Sequence, residues 1–252
     1  MCELFGVSSA KPIKINKYLV ELVAHSCDNP HGWGFANFRE HKVTLHKHPG
    51  KASESVQIMS FLKGEIWVNK FFAHIRMGTR GRRSYLNCHP FTVVDCMQRQ
   101  WTLQHNGTIF TDILDEYEYI QIGETDSERI LMRLLDMVNE AEKKVNRDLT
   151  SEERFQLIDQ LILELVPHNK VNLMIYDGEF MYVHCNLRNT LHEKLDNGAR
   201  IFATVPLDEE GWEPVPFMQL VVYKDDQLVF EGTKHNYEYI HDSAHYKGLN
   251  IK

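Results

Sequence analysis

The sequence predicts an α+β fold, and three features of its 252 residues carry that prediction. Short apolar runs with strand character fill the first half and the last third, and two long amphipathic segments stand side by side between them. Strands, then adjacent helices, then strands again is the order of segregated layers, whereas βαβ units would alternate the two. No internal repeat, low-complexity tract or Pro/Gly-rich linker divides the chain, so a single domain over residues 1–252 is expected.

Cys2–Ser8 (CELFGVS) reads as a first strand, broken by Gly6. Lys14–Ala24 places Ile15, Leu19, Leu22 and Val23 at helical spacing. His31–Asn37 and Lys42–His48 read as two strands joined by the polar turn "REH". Phe71–Met77 and Phe91–Cys96 are buried strands, and "RQWTLQHNGTI" is another that ends at the turn Asn106-Gly107. In "TDSERILMRLLDMVNEAEKKV", Thr125 precedes Glu128 by three residues, a capping-box pattern, and Ile130, Leu131, Leu134, Leu135 and Val138 share a face. "TSEERFQLIDQLILELV" repeats the device with Thr150 and Glu153, buries Phe155, Ile158, Leu161, Ile162 and Leu165, and stops at Pro167. Strands return in "VNLMIYDGEFMYVHCN", with a hairpin turn at Asp177-Gly178, in "RIFATV", and in "FMQLVVYKDDQLVFEG", which turns near Asp225-Asp226.

Composition narrows the function. A net charge of −7 lacks the basic excess that a phosphate-tracking surface needs, so no nucleic-acid partner is expected. The N-terminus is acidic at Glu3, without the basic and then apolar stretches of a signal peptide, and no segment reaches the roughly 18–20 apolar residues of a membrane span. Cys2, Cys27, Cys88, Cys96 and Cys185 are odd in number and scattered, which points to reduced thiols in a cytoplasm rather than to disulfides or a zinc site. His41/His46/His48 and His235/His241/His245 are groupings with metal-binding chemistry, but their dispersal favours ordinary loop and surface histidines, and no metal is expected.

Four places carry chemistry. Methionine aminopeptidase removes Met1 before a residue as small as cysteine, which would leave Cys2 with a thiol and a free α-amine on one carbon. The amine titrates near about 7.7–8.0 and an unperturbed thiol near about 8.5, so the two can act as base and nucleophile; otherwise Cys2 simply opens a strand. "AHIRMGTRG" puts Arg76 at the end of an apolar strand, where its fork can grip a carboxylate. "QHNGTI" offers a side-chain donor from Asn106 and an unobstructed N–H from Gly107, a pair that makes an oxyanion hole if it converges and a plain hairpin turn if it does not. "GETDSE" sets Asp126 at a helix start, where taken alone it reads as a plain helix cap.

Taken in that order, these motifs resemble the class II glutamine amidotransferases, which are N-terminal nucleophile hydrolases. "HGWGFA" (His31–Ala36) is similar to the family's glycine-containing strand, and "LNCHPF" (Leu86–Phe91) to its Asn-x-His-Pro-Phe stretch, so the resemblance runs from residue 2 to about residue 130. It is strongest to the small stand-alone YafJ type. The resemblance implies a four-layer αββα sandwich and an enzyme that hydrolyses glutamine or another γ-glutamyl amide through a thioester, releasing ammonia, with no cofactor. It gives Cys2 the nucleophile's role, its α-amine the base's, and Asn106 and Gly107 the oxyanion hole. Arg76 would bind the α-carboxylate of the substrate and Asp126 its α-ammonium. His74 and His89, which flank the site in sequence, are read as structural. A separate synthase or ammonia-accepting subunit is the further partner implied.

The chain departs from the larger family members at Met77, where they usually carry Trp, and at Arg80-Gly81, where they have His-Gly. Arg80, Arg82 and Arg83 make the loop of residues 78–85 basic, which suits either an acidic substrate tail or a solvated loop. Two competing readings remain at this point: an N-terminal-cysteine acylase, and a non-catalytic or regulatory subunit with the same fold.

Overall fold

The computed structural model describes residues 1–39 and 42–242, so Glu40 and His41 of the expected turn, and His245, lie outside the described residues. In chain order the elements are β1 (Glu3–Lys14), α1 (Asn16–Ala24), β2 (Trp33–Arg39), β3 (Lys42–His48), α2 (Val56–Leu62), β4 (Trp67–Ile75), β5 (Phe91–Val94) and β6 (Gln100–His105). Then come α3 (Asp126–Val145), α4 (Ser151–Leu165), β7 (Leu173–Tyr176), β8 (Met181–His184), β9 (His192–Asp196), β10 (Ala199–Ala203), β11 (Glu213–Pro214), β12 (Val221–Lys224) and β13 (Gln227–Glu231).

These strands form two antiparallel sheets, one in the order β11-β9-β10-β1-β4-β2-β3 and the other in the order β13-β12-β8-β7-β6-β5. Alternation along the central strands builds the layers, because successive side chains of a strand point to opposite faces. In β1, Leu4 points between the sheets, while Phe5 and Val7 join Leu19 and Leu22 of α1 and Ile58 of α2 in an outer core. In β7, Met174 and Tyr176 point between the sheets, while Leu173 and Ile175 meet Ile130 and Leu134 of α3 and Ile158 and Leu161 of α4. Helices, sheet, sheet, helices is therefore the layer order: the fold is the four-layer αββα sandwich that the resemblance implied. Each fully buried Leu or Phe in it contributes about 1.5–3 kcal/mol.

The chain terminates its helices as the sequence indicates, with one difference. Thr150 and Glu153 form a reciprocal capping box at α4. At α3 only half the box exists: the Thr125 hydroxyl accepts from the Glu128 N–H, but the Glu128 carboxylate turns away to accept from the N–H groups of Ile122 and Gly123. The first strand is longer than expected because a register shift between Ser8 and Ile13 lets pairing with β4 resume as far as Lys14.

Candidate active site

Cys2 sits immediately before β1, where Glu3 pairs with Ile75 at the end of the neighbouring strand β4. Thr204 fixes the strand behind it, accepting from the Leu4 N–H through Oγ1 at 2.7 Å and donating its own N–H to the Leu4 carbonyl. The half-buried Cys2 Sγ lies 3.3 Å from both the N and the O of Met77, the residue that follows Arg76 beyond β4. Burial pushes the thiol pKa up, and the Met77 N–H, the Arg76 charge and the Lys170 charge oppose that shift. The resting group is thus a thiol that needs a base.

Asn106 and Gly107 lie at the C-terminal end of β6, across the cavity from Cys2. The Asn106 N–H donates to the Asn172 carbonyl, and Thr108 and Lys170 exchange both backbone hydrogen bonds, so the turn is tied to the strand before β7. Glycine is required at 107: a Cβ there would collide with the His105 ring and the Lys170 carbonyl. Asn106 is 2% exposed; its Oδ1 accepts from Lys170 Nζ at 3.1 Å, while its Nδ2 is buried without a partner among the described residues. An orphaned amide N–H is costly to bury and is the kind of group a bound oxyanion satisfies. Cys2, Asn106 and Gly107 line one cavity of about 150 Å³ together with Met77, Thr79, Thr108, Lys170 and His241.

Arg76 and Asp126 are buried nearby but do not line that cavity. The Arg76 guanidinium donates through Nη2 to the carbonyls of Arg80 (2.7 Å) and Gly81 (3.0 Å), and its Nη1 reaches those of His31 and Arg82 at 3.4 and 3.5 Å. It holds the loop after β4 in a curl. Asp126 Oδ2 accepts the Ile109 N–H at 2.7 Å and Oδ1 accepts the Ser127 N–H at 3.0 Å, so this carboxylate pins the segment that follows Gly107.

The two motifs beyond the candidate site residues meet each other. Gly34 of "HGWGFA" lies against the His89 carbonyl of "LNCHPF", where any Cβ would collide with it. The His89 ring stacks on that of His74 at 4.1 Å, and His74 Nε2 donates to the His105 carbonyl at 3.3 Å. Burial pushes His74 down to about 3 and lowers His105, so both rings are neutral wedges that hold β4 and β6 together beneath the site. All five cysteines are free thiols. Among the described residues no group of three or more His, Cys, Asp or Glu side chains is placed to hold a metal ion, and no helix is long and apolar enough to cross a membrane.

A family model described as glutamine amidotransferases class-II matches residues 1–197. The chain belongs to that family. Among its relatives in the family's neighbourhood, an uncharacterized protein of Methanocaldococcus jannaschii is 27% identical over 262 aligned residues, which span 93% of this chain and 72% of the relative. The putative glutamine amidotransferase YafJ of Escherichia coli is 28% identical over 190 residues, 74% of this chain and 73% of YafJ, in keeping with the resemblance to the YafJ type. The glutamine phosphoribosylpyrophosphate amidotransferase of B. subtilis superimposes with a TM-score of 0.65 at 17% identity, over 90% of this chain. That overlap takes in 48% of the B. subtilis chain, about half its length, and at this identity the likeness shows the fold alone.

Among the residues of this candidate site that escaped the sequence reading are Thr79 and Lys170. Thr79, from the loop after Arg76, meets the Thr108 hydroxyl at 3.4 Å across the cavity. Lys170 is 3% exposed, and burial lowers its ammonium to about 8, with Cys2 pulling it back up. The only sign of it in the sequence is a lysine abutting the apolar run "VNLMIY", where a cation must either bend out to water or find a buried partner.

Proposed function

We propose that this amidotransferase hydrolyses glutamine or another γ-glutamyl amide, with Cys2 as the nucleophile. The observation that carries this reading is the placement of Cys2, Asn106 and Gly107 on one cavity with the Asn106 Nδ2 donor unpartnered. Removal of Met1 frees the Cys2 α-amine, which takes the thiol proton directly or through a water. The thiolate attacks the side-chain amide carbon, and the oxyanion that forms accepts hydrogen bonds from Asn106 Nδ2 and the Gly107 N–H. The protonated amine returns its proton to the departing nitrogen and ammonia leaves. Water then attacks the thioester, and glutamate departs as the thiol is restored.

Arg76 and Asp126 are assigned the two charged corners of the substrate. Arg76 trades loop carbonyls for the α-carboxylate, and Asp126 receives the α-ammonium while keeping the segment at Ile109 in place. Ammonia passes to water or to a separate acceptor subunit. A single domain spanning residues 1–252 fits this reading, since β10, β12 and β13 complete the two sheets beyond residue 197. The five free thiols suit a cytoplasmic setting.

The test is ammonia release from glutamine, with γ-glutamyl peptides in parallel, by protein whose intact mass shows Met1 removed. Hydrolysis that disappears in Cys2→Ala is expected. Hydrolysis retained in Cys2→Ala would take the nucleophile's role from Cys2, and no hydrolysis above background in the wild type would transfer the fold to a non-catalytic, partner-binding role.

A further inference from the structure

We propose that Lys170 is a positioning residue of this site, holding the Asn106 carboxamide by its oxygen so that Nδ2 is turned toward the thiol. The proposal rests on the amide-hydrolysis reading for its kinetic consequences, and on the resting geometry alone for its structural one.

A carboxamide is nearly symmetric in shape, and a half-turn about its last torsion exchanges a donor for an acceptor. Facing an incipient oxyanion, the first orientation stabilises and the second repels. The turn at Asn106-Gly107 does not decide between them, since its backbone bonds run from the Asn106 N–H to Asn172 and from Thr108 to Lys170. The ammonium does decide, because it has three donors and no acceptor, so only Oδ1 can face it. Lys170 Nζ stands 3.1 Å from that oxygen, and Nδ2 is left buried and unpartnered.

The lysine is itself fixed for this task. Its N–H donates to the Thr108 carbonyl, and its carbonyl accepts from Thr108 N–H at 3.0 Å and from His105 Nε2 at 3.2 Å. Backbone and side chain therefore grip the two sides of one turn. The ammonium's other contact is the Met1 sulfur at 3.1 Å, so removal of Met1 leaves Asn106 Oδ1 as its one side-chain partner among the described residues. No cation from sequence motifs known to the site does this: Arg76 is occupied with the loop carbonyls.

Lys170→Met keeps the length and apolar stem of the side chain and removes the charge, which a buried position tolerates. With glutamine and Met1-free protein, kcat of Lys170→Met should fall about 10- to 100-fold, part of the usual cost of an oxyanion donor, with KM within about 3-fold of wild type. Lys170→Arg should recover part of the loss. In an Asn106→Ala background, adding Lys170→Met should change kcat no further, since the residue it acts through is gone. Wild-type kcat in Lys170→Met, or losses that multiply in the double variant, would overturn the proposal. If wild-type protein shows no Cys2-dependent hydrolysis, the functional reading fails, and the Asn106 side-chain NH₂ signals in the NMR spectrum of the resting protein decide on Lys170. A shift and faster solvent exchange in folded Lys170→Met support the inference; unchanged signals refute it.

Discussion

The Arg76 guanidinium donates to the Arg80 carbonyl at 2.7 Å and to the Gly81 carbonyl at 3.0 Å, so the residue assigned to the substrate's carboxylate also shapes the loop beside the thiol. Four hydrogen-bond contacts to carbonyl oxygens need a planar fork, which lysine lacks. Arg76→Lys should therefore raise KM for glutamine about 10-fold or more and speed proteolytic nicking between residues 78 and 85, with a smaller change in kcat. Measuring KM and the rate of limited proteolysis on the same variant checks both halves. A raised KM with an unaltered cleavage rate would separate binding from loop control and contradict the shared role.

Asp126 has a similar double burden. Its two oxygens accept the N–H groups of Ile109 and Ser127, and an amide in its place would aim an NH₂ at one of those donors. Asp126→Asn should cost about 1–3 kcal/mol of stability, the cost of leaving a buried donor unsatisfied. Because Ile109 follows Asn106 and Gly107 by so little, kcat should fall along with the rise in KM. A denaturant titration and steady-state kinetics test this together; a pure KM effect at wild-type stability would show that Asp126 acts on substrate alone.

The folded protein should lose stability in mild acid. Burial holds His74 and His184 down at about 3 and His89 well below its usual value, and it lowers His105. His184 is also committed to one tautomer, donating Nδ1–H to the Val171 carbonyl at 2.7 Å and accepting at Nε2 from His235 at 3.0 Å. The unfolded chain protonates these rings below about 6.5 while the folded one does not, so their contribution is complete above that pH and lost as pH falls toward 3. Each such ring adds a slope of about 1.4 kcal/mol per pH unit within the window. Urea midpoints measured from neutral pH down to about pH 5 should fall, and His184→Gln should flatten the fall. A midpoint independent of pH would refute the neutral-histidine assignment.

What the sequence disclosed and what it withheld follow from where the information lies. The long helices were legible because Thr125 and Thr150 cap them and their apolar residues repeat on one face. Helix α2 was not, because Ile58 is the one residue of Val56–Leu62 that is buried, and a helix with so small a core face leaves little periodic signal. Strand β9 (HEKLD) carries mostly polar residues of intermediate burial, although the Asn197-Gly198 turn that pairs it with β10 is a hairpin signal in its own right. At the site, Cys2, Asn106 and Gly107 stand in motifs that fix short-range geometry. Lys170 does not, because its burial arises from pairing with Thr108 across 62 positions of chain, a relationship with no local signature.

The central claim is a covalent bond between Cys2 and the acyl group of the substrate. Acid-quenching the Met1-free protein during turnover of glutamine, then measuring its intact mass and mapping its peptides, tests that bond without reference to what ammonia does next. The account predicts a fraction of the chain heavier by glutamine less ammonia, with the adduct on the N-terminal peptide at Cys2, increased when Asn106 is intact and absent in Cys2→Ala. Steady glutamine hydrolysis with no adduct at Cys2, or an adduct at another cysteine, would contradict it.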